Sequence, residues 1–511
     1  MDDLQSAASV RAWLQQHAVG AQLASDSRSV AHGDVFFAYP GEGADGRSHI
    51  AHAIANGASA VVYDDSEFAW NDAWDVPHLG VAGLKGIAGT VANAYYAQPD
   101  AGMFTVAVTG TNGKTSCTQW LAASLSRLGD VAAVIGTLGV GVFRRGEHDE
   151  FSVTGYTTPD ALILQRKLAK LRDGDVSALA IEASSIGLHQ ERMNGMHVDA
   201  AVFTNLTRDH LDYHGDMAAY EAAKFRLFDW PGLKHAVVNL DDAAGVRLVA
   251  HLHANAPDVQ IIAYTIEGSS VEGAANERVT RLSARDIRTS HAGTVFYVDG
   301  PGRSTQVRTQ LIGRFNVSNV LAVIGVLLAK GVDWRDALDV VELLTPAPGR
   351  MQQLGGHDAP LVVIDYAHTP DALEKTLATL RQVAQERSGE LWCVFGCGGD
   401  RDPGKRPQMG AISQAADHVV VTSDNPRTEN LASIMAQIDA GMDAEKTHLA
   451  IEDRAAAILW AVRHAARADV ILLAGKGHET YQEINGRRLP FLDADHASLA
   501  LATRVTMKGV N

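Results

Sequence analysis

Cysteine is scarce in this chain of 511 residues, which has only Cys117, Cys393 and Cys397. So few thiols in so long a chain exclude a disulfide framework and fit a reducing compartment. Long apolar runs are missing too. The longest, Val320 to Ala329, is interrupted by Gly325 and reaches about half the length of a membrane span. The amino-terminal segment MDDLQSAASVRAWLQQ is acidic and has no apolar centre, so no signal peptide and no membrane insertion are expected. Positive charge is in deficit, with 44 Lys and Arg against 60 Asp and Glu, a formal charge of −16. That excludes general binding of nucleic acid or of an anionic membrane. It leaves small phosphates open, provided cations are placed locally. Solenoid-period repeats and low-complexity tracts are absent as well. These absences describe a cytoplasmic protein.

The chain contains 46% hydrophobic and 20% charged residues, a globular composition, and at roughly 150 residues per domain its length suits three domains. Two Pro- and Gly-bearing joints, at 98–102 (QPDAG) and 345–349 (TPAPG), divide it into parts spanning 1–101, 102–345 and 346–511. In the middle and last parts, short β-branched runs alternate with helical patterns. Examples are FTVAVTG at 104–110, AVVNL at 236–240, LVVID at 361–365, HVVVTSD at 418–424 and DVILLAG at 469–475. Such runs predict an α/β fold with mostly parallel strands buried on both faces, and ligands beyond the carboxyl ends of the strands.

The residues after those runs bear this out as chemistry. FTVAV is followed by Thr109, Gly110, Thr111, Asn112, Gly113, Lys114, Thr115 and Ser116, then by a helical stretch. A strand, a glycine loop and a helix form a phosphate loop: backbone N–H groups turn toward the anion, Lys114 reaches outer phosphates and Thr115 offers a hydroxyl to Mg²⁺. The general pattern would have a glycine where this chain has Val108. VSALAIE ends in Glu182, a carboxylate of the kind Mg²⁺ accepts. The segment 203–224 packs Asp209, His210, Asp212 and His214 together, with Lys224 on a helical stretch. His210 and His214 have zinc-ligand spacing, but no HExxH glutamate accompanies them. In the last part, FGCGGDRDPGKRP at 395–407 gathers Arg401, Lys405 and Arg406. Asp424, Asn425, Pro426 and Arg427 follow a strand, and Gly475 to Glu479 follow another. An acid, an amide and a guanidinium facing outward from one turn suit a zwitterion.

Taken in order, these motifs resemble the Mur ligases, the ATP-dependent amide-forming enzymes of peptidoglycan synthesis. The match includes SDSR at 25–28, GDVFFAYPGEGADGR at 33–47, TGTNGKTS at 109–116, TTPD at 157–160, EASS at 182–185 and FTNLTRDHLDYHGDMAAYEAAK at 203–224. It continues with GRFNVSN at 313–319, GRM at 349–351, DYAHTPDAL at 365–373, GCGGDRDPGKRP at 396–407, DNPR at 424–427 and AGKGHE at 474–479. Within the family the chain looks like the members that add the third residue of the stem peptide, and DNPR is the motif associated with meso-diaminopimelate rather than lysine.

The resemblance implies an amino-terminal domain for the uridine-nucleotide precursor, a central P-loop ATPase with a mostly parallel sheet, and a Rossmann-like carboxyl-terminal domain. It implies a monomer whose small-molecule partners are UDP-N-acetylmuramoyl-L-alanyl-D-glutamate, meso-diaminopimelate and ATP, with Mg²⁺. Ser27 would contact the uridine nucleotide, near the loop Glu42–Ala44. Thr157, Thr158, Ser184, Gln190 and Arg192 would hold the muramoyl dipeptide. Gly110 to Ser116 would bind ATP, with Asn316, Arg350, Asp365 and His368 gathering around it as the last domain closes. Thr115, Glu182, His210 and Lys224, the last as a carbamate, would be metal ligands, and Lys114, Lys224 and His210 the catalytic set. Arg401, Asp424, Asn425, Pro426, Arg427, Gly475 and Glu479 would recognise diaminopimelate. Tyr156 and Ile186 stand where family members commonly have Asn and His, which bears on one substrate contact. Other readings of the same residues are a folylpolyglutamate synthetase relative, a P-loop switch that binds a partner, and a zinc hydrolase.

Overall fold

Strands buried on both faces send alternate side chains into two different cores, and the computed structural model is built that way. It describes residues 2–270, 279–290 and 292–508. Contacts divide the chain into two units. One comprises Met1–Thr109, Leu121–Val202 and Ala223–Ala236; the other comprises Gly110–Trp120, Phe203–Ala222 and Val237–Asn511. The division runs through the middle part of the chain, and the joints expected at 98–102 and 345–349 each fall within one unit.

In the first unit, Leu23–Ala24, Val35–Ala38, Ala60–Tyr63 and His78–Gly80 form a four-stranded parallel sheet. Val35, Phe37 and Val62 join Leu14, Leu84 and Val91 on one face, whereas Phe36, Val61 and Tyr63 meet Ile50 and Ala53 on the other. The helices Asp2–His17 and Leu84–Tyr95 supply the first of these cores. The same unit carries a second group of strands in the order Ala200–Phe203, Phe104–Thr109, Ala178–Glu182, Ala132–Gly136, Gly139–Arg144 and Glu147–His148. Parallel register sets Val108 opposite Glu182, so these two strands end at the same edge. The tight hairpin Gly136↔Gly139 then reverses the chain.

In the second unit the expectation of mostly parallel strands holds, with antiparallel strands added at an edge. Gln260–Thr265 pairs in parallel with Val279–Ser290, but Gly293–Gly300 and Arg303–Thr309 then follow as antiparallel hairpins. These strands carry one solvated face; in Arg303–Thr309 only Val307 and Thr309 are buried. A half-polar strand lacks the apolar run that marks a doubly covered one.

The six-stranded sheet has the order Gln352–Gly355, Leu361–Asp365, Val470–Ala474, Leu391–Phe395, His418–Val421 and Leu449–Ala450. All its pairings are parallel except the first. Val363, Cys393, Phe395 and Leu472 pack with Leu377, Met409 and Ile438 on one face, and Val362, Val394, Ile471 and Leu473 pack with Ile458 and Ala497 on the other. Helices on both faces make it Rossmann-like. The chain passes from Leu361–Asp365 to Leu391–Phe395 and returns later to insert Val470–Ala474 between them. That order gathers the loops 365–371, 396–407, 422–427 and 475–479 beyond the carboxyl ends of the strands, where such sheets bind ligands.

The apolar run at 320–329 lies in the buried helix Arg314–Ala329. Among the described residues, no helix is long and apolar enough to cross a membrane. All three cysteines are buried, and among the described residues none forms a disulfide.

The strand ends of the six-stranded sheet are tied by a fully buried ion pair. Arg454 Nε and Nη2 donate to Asp493 at 2.7 Å each, while Nη2 also reaches the Ala474 carbonyl at 3.0 Å and Nη1 the Ser423 carbonyl at 3.3 Å. Removing one partner strands the other charge in the interior. Arg454→Met is therefore expected to lower stability by about 3–5 kcal/mol, read as an earlier urea transition monitored by circular dichroism.

Candidate functional site

In the second unit, the loop Gly110–Gly113 leads into the helix Lys114–Arg127. Two glycines are required there. Gly110 has φ +146°, and an added Cβ would fall 1.8 Å from Thr204 Oγ1; Gly113 has φ +89° and would meet Asn319 Oδ1 at 2.5 Å. The loop is held from 204–207, since Thr111 N donates to the Asn205 carbonyl and Asn112 N to Asn205 Oδ1, both at 2.9 Å. Lys114 curls over its own loop: Nζ donates to the carbonyls of Gly110 and Thr111 at 2.8 Å each. Backbone acceptors stand where an anionic ligand's oxygens would take over.

Residues from the far end of the same unit reach this loop. Arg350 Nη2 donates to Thr115 Oγ1 at 3.0 Å, with its guanidinium 4.3 Å from the centre of the Tyr366 ring. Asn112 Nδ2 donates to Asp371 Oδ2 at 3.1 Å. Asp365 accepts from Met351 N at 2.8 Å; burial raises its pKa, against the lowering effect of Arg350. His368 Nδ1 donates to the Tyr366 carbonyl at 2.8 Å, and its Nε2 lies 3.8 Å from Asp209 Oδ2. His210 Nε2 approaches the same carboxylate at 3.5 Å. Burial works to raise the Asp209 pKa, yet the pairing with His368 and the charges of His210 and Lys405 hold it far below the usual carboxylate range. His210 has φ +54°, a left-handed conformation that a non-glycine residue adopts at a cost. Asn316 stays inside, its Nδ2 bonded to the Ile312 carbonyl at 2.9 Å.

Thus Lys114, Thr115, Arg350, Asp365, His368 and His210 lie around one loop. Asp209, Asp371 and Tyr366 belong to the group too. Each stood inside a quoted motif, but nothing in spacing distinguished it from a solvated neighbour.

The second cluster lies at the ends of His418–Val421 and Val470–Ala474. Here the structure corrects the expectation of an acid, an amide and a guanidinium facing outward. Asp424 and Asn425 are buried, and only Arg427 is near the surface. The reason is Lys476, wholly buried, whose Nζ lies 2.9 Å from Glu479 Oε2, 3.1 Å from Asn425 Oδ1 and 3.7 Å from Asp424 Oδ1. Asn425 Nδ2 donates to Glu479 Oε2 at 2.8 Å. Gly475 has φ +107° and allows this closeness, because a Cβ there would fall 2.8 Å from Asp424 Oδ2. Arg427, at φ +50°, is fixed through its backbone: its N–H donates to the Glu483 carbonyl at 2.9 Å and its carbonyl accepts from Asn485 N at 2.7 Å. Arg401 is exposed and turns to the Asp400 carbonyl at 3.1 Å. His478, beside Tyr366, is pushed down to about 3 by burial and by the charges of Arg350 and Lys476.

In the first unit, Glu182 is buried and accepts from Thr137 N at 2.9 Å and Thr137 Oγ1 at 3.0 Å. Thr137 Oγ1 lies 3.2 Å from Thr157 Oγ1. Thr158 Oγ1 donates to the Glu182 carbonyl at 2.8 Å and pairs with Ser184 Oγ at 2.9 Å; Ser184 in turn caps the helix Ser185–His189 through Gly187 N. Arg192 Nη1 donates to the Thr158 carbonyl at 2.9 Å, and its Nη2 to Gln190 Oε1 at 2.6 Å. Gln190 Nε2 reaches Glu42 Oε2 at 2.7 Å. Tyr156 joins the group by a route its sequence position did not suggest: Arg192 sits over its ring at 4.6 Å, a cation–π contact. Ile186 is half-buried. Ser27 Oγ is 3.1 Å from His52 Nδ1. Lys224 is buried on the helix Met217–Phe225.

His210 and His214 flank the Tyr220 ring, at 6.2 and 5.2 Å between centres. Among the described residues no three His, Cys, Asp or Glu side chains form a metal-holding group. Burial raises the thiol pKa values of Cys393 and Cys397, which suits packing rather than redox chemistry.

Family models match residues 21–96 (Mur ligase family, catalytic domain), 108–327 (Mur ligase middle domain) and 349–477 (Mur ligase, glutamate ligase domain). The UDP-N-acetylmuramoyl-L-alanyl-D-glutamate–2,6-diaminopimelate ligase of Janthinobacterium sp. (strain Marseille) is 65% identical over 505 residues, covering 99% of this chain and 98% of its own. A solved structure of a ligase of the same name is 37% identical with a TM-score of 0.66, covering 95% of each chain. The MurF ligase of Thermotoga maritima in complex with ADP shares the fold, with a TM-score of 0.64 over 96% of this chain and 98% of its own at 16% identity. With relatives this similar along nearly its whole length, the chain belongs to the Mur ligase family.

Proposed function

We propose that this chain uses ATP to join meso-diaminopimelate to UDP-N-acetylmuramoyl-L-alanyl-D-glutamate, releasing ADP and phosphate, in cytoplasmic synthesis of peptidoglycan precursor. The relative from Janthinobacterium carries the dipeptide nucleotide and 2,6-diaminopimelate in its name. The observation that carries the reading is the second cluster. Asp424 and Glu479 offer carboxylates to an ammonium group, and Arg427 at the rim offers a guanidinium to a carboxylate. The far end of diaminopimelate bears both groups, whereas lysine has only the ammonium. In this reading residues 1–101 take the uridine nucleotide, 102–345 form the ATPase and 346–511 take the amino acid.

A carboxylate is a poor electrophile at neutral pH. Attack of the substrate's glutamate oxygen on the γ-phosphorus expels ADP and leaves an acyl phosphate. The amine of diaminopimelate then adds to the acyl carbon, loses a proton, and the C–O bond to phosphate breaks. The protein's part is positioning and charge neutralisation. Lys114 exchanges the carbonyls of Gly110 and Thr111 for phosphate oxygens. Arg350, now bonded to Thr115, is free to turn to the same anion. Asn316, Asp365 and His368 complete the nucleotide's surroundings. Ser27, Thr157, Thr158, Ser184, Gln190 and Arg192 hold the dipeptide nucleotide.

Thr115 and Glu182 each offer oxygen, the hard donor that Mg²⁺ prefers. Glu182 spends two of its acceptor positions on Thr137, leaving others for a metal. His210, and Lys224 as a carbamate, complete the assigned ligands. When bound, Mg²⁺ would offset the charge of the transferring phosphoryl group.

Phosphate release is the test. With the dipeptide nucleotide and ATP present, diaminopimelate should drive release, and lysine or no amino acid should not. Equal turnover with lysine, or release without any amino acid, overturns the reading in favour of a different ligase or a switch-type NTPase. Lys114→Ala should cut turnover by about a hundredfold or more, measured by the same assay. Lys224→Ala should be inactive and partly recover on addition of short carboxylic acids that replace the carbamate; full activity without rescue excludes the carbamate.

A further inference from the structure

Lys476 lies in a glycine-flanked turn, and the proposed chemistry does not use it. It is wholly buried, a state that a lysine side chain adopts only when paired. Its three N–H donors face three acceptors, on Glu479, Asn425 and Asp424. The turn that carries it is tightly packed. Glu479 N donates back to the Lys476 carbonyl at 3.0 Å, and a Cβ on Gly477 would fall 2.8 Å from the Gly349 carbonyl oxygen. The ammonium is therefore fixed in place.

The charges around it can be counted. Two buried cations, Lys476 and Arg454, stand against the buried carboxyl groups of Asp424 and Asp493 and the part-buried one of Glu479, 18% exposed. Arg427, 22% exposed at the rim, has Glu483 as a loose partner at 4.0 Å. Arg427 and Glu483 add one charge of each sign, so the cluster as a whole carries one surplus negative charge, which one ligand ammonium would balance. Without Lys476 the surplus would be two. A ligand end bearing a carboxylate would then be repelled, and an end bearing only an ammonium would be favoured.

From this juxtaposition we infer that Lys476 is a specificity-positioning residue: its buried charge tilts the amino-acid site toward a zwitterionic end group and away from a monocation. The inference rests on the reading of this cluster as the amino-acid site. Diaminopimelate and lysine differ by one carboxylate, so a fixed cation beside the reader separates them through that charge. Arg427 at the rim is screened by solvent, whereas Lys476 acts through the interior, where screening is weak. Asp424, Asn425 and Glu479 touch the ligand in this scheme, and Lys476 acts through them.

The experiment measures kcat and KM for diaminopimelate and for lysine in wild type, Lys476→Met and Lys476→Arg, with ATP and dipeptide nucleotide saturating. In Lys476→Met the ratio of kcat/KM for diaminopimelate to that for lysine should fall by about tenfold or more, about 1.4 kcal/mol. The loss should sit in the KM for diaminopimelate, with the KM for ATP unchanged. Lys476→Arg keeps the charge and should keep most of the discrimination. The double variant Lys476→Met/Glu479→Gln removes one charge of each sign. Its ratio should return toward wild type even as both substrates bind less well, and it carries the test if the single variant does not fold. Equal losses for both amino acids in Lys476→Met, or a double variant as undiscriminating as the single, reduce Lys476 to a structural role and overturn the inference. Failure of the wild type to use diaminopimelate would instead overturn the underlying reading, and needs no variant to be seen.

Discussion

The buried pair Arg454–Asp493 is the interaction on which the carboxyl end of the six-stranded sheet depends. Parallel strands end with backbone carbonyls that the ladder no longer satisfies, and beyond them the chain must turn sharply to make loops. Arg454 resolves both needs at once. It bonds the carbonyls of Ser423 and Ala474, the last residues before the two ligand loops, while Asp493 keeps its charge compensated. The residues that follow, Asp424 to Arg427 and Gly475 to Glu479, are thereby held close enough for Lys476 to bridge them. The geometry of the reader is inherited from an ion pair that no ligand touches.

The phosphate loop follows a related logic. Lys114 and Arg350 have oxygen partners within the protein, the loop's own carbonyls and the Thr115 hydroxyl. Binding of an anion is then an exchange of hydrogen bonds rather than a gain of new ones, so its net contribution comes from charge and from the preformed shape of the loop. The glycines at 110 and 113 set that shape, because Thr204 and Asn319 occupy the space any side chain would need.

Much of this was legible in the sequence, for a physical reason. Strands covered on both faces are apolar throughout, and their carboxyl ends are where ligands gather, so LVVID and DVILLAG announced both the sheet and the loops after it. The antiparallel strands at 279–309 did not announce themselves, since residues such as Arg285, Arg303 and Arg308 alternate onto a solvated face and break the apolar signal. Within the sites, residues whose role is local could be read: Lys114 sits in its own loop. Residues whose role depends on a distant partner could not. Asp424 reads as an outward-facing acid until Lys476, some fifty residues on, is known to lie beneath it. Tyr156 reads as a departure until Arg192 is found over its ring.

The formal charge of −16 takes on a different meaning once the cations are located. Several of them are not on the surface at all. Lys224, Arg406, Arg454 and Lys476 are all 1% exposed or less. Arg406 binds the Gly398 carbonyl and Glu429, holding the 396–407 loop much as Arg454 holds its neighbours. Buried carboxylates such as Asp199, Asp365, Asp424 and Asp493 accompany them, and the charge left facing solvent is still acidic, which repels extended polyanions. Inside, the same cations organise loops whose remaining donors face small anions. A chain can therefore be acidic as a whole and selective for phosphate and carboxylate groups at a few points, because the two properties reside in different populations of charge.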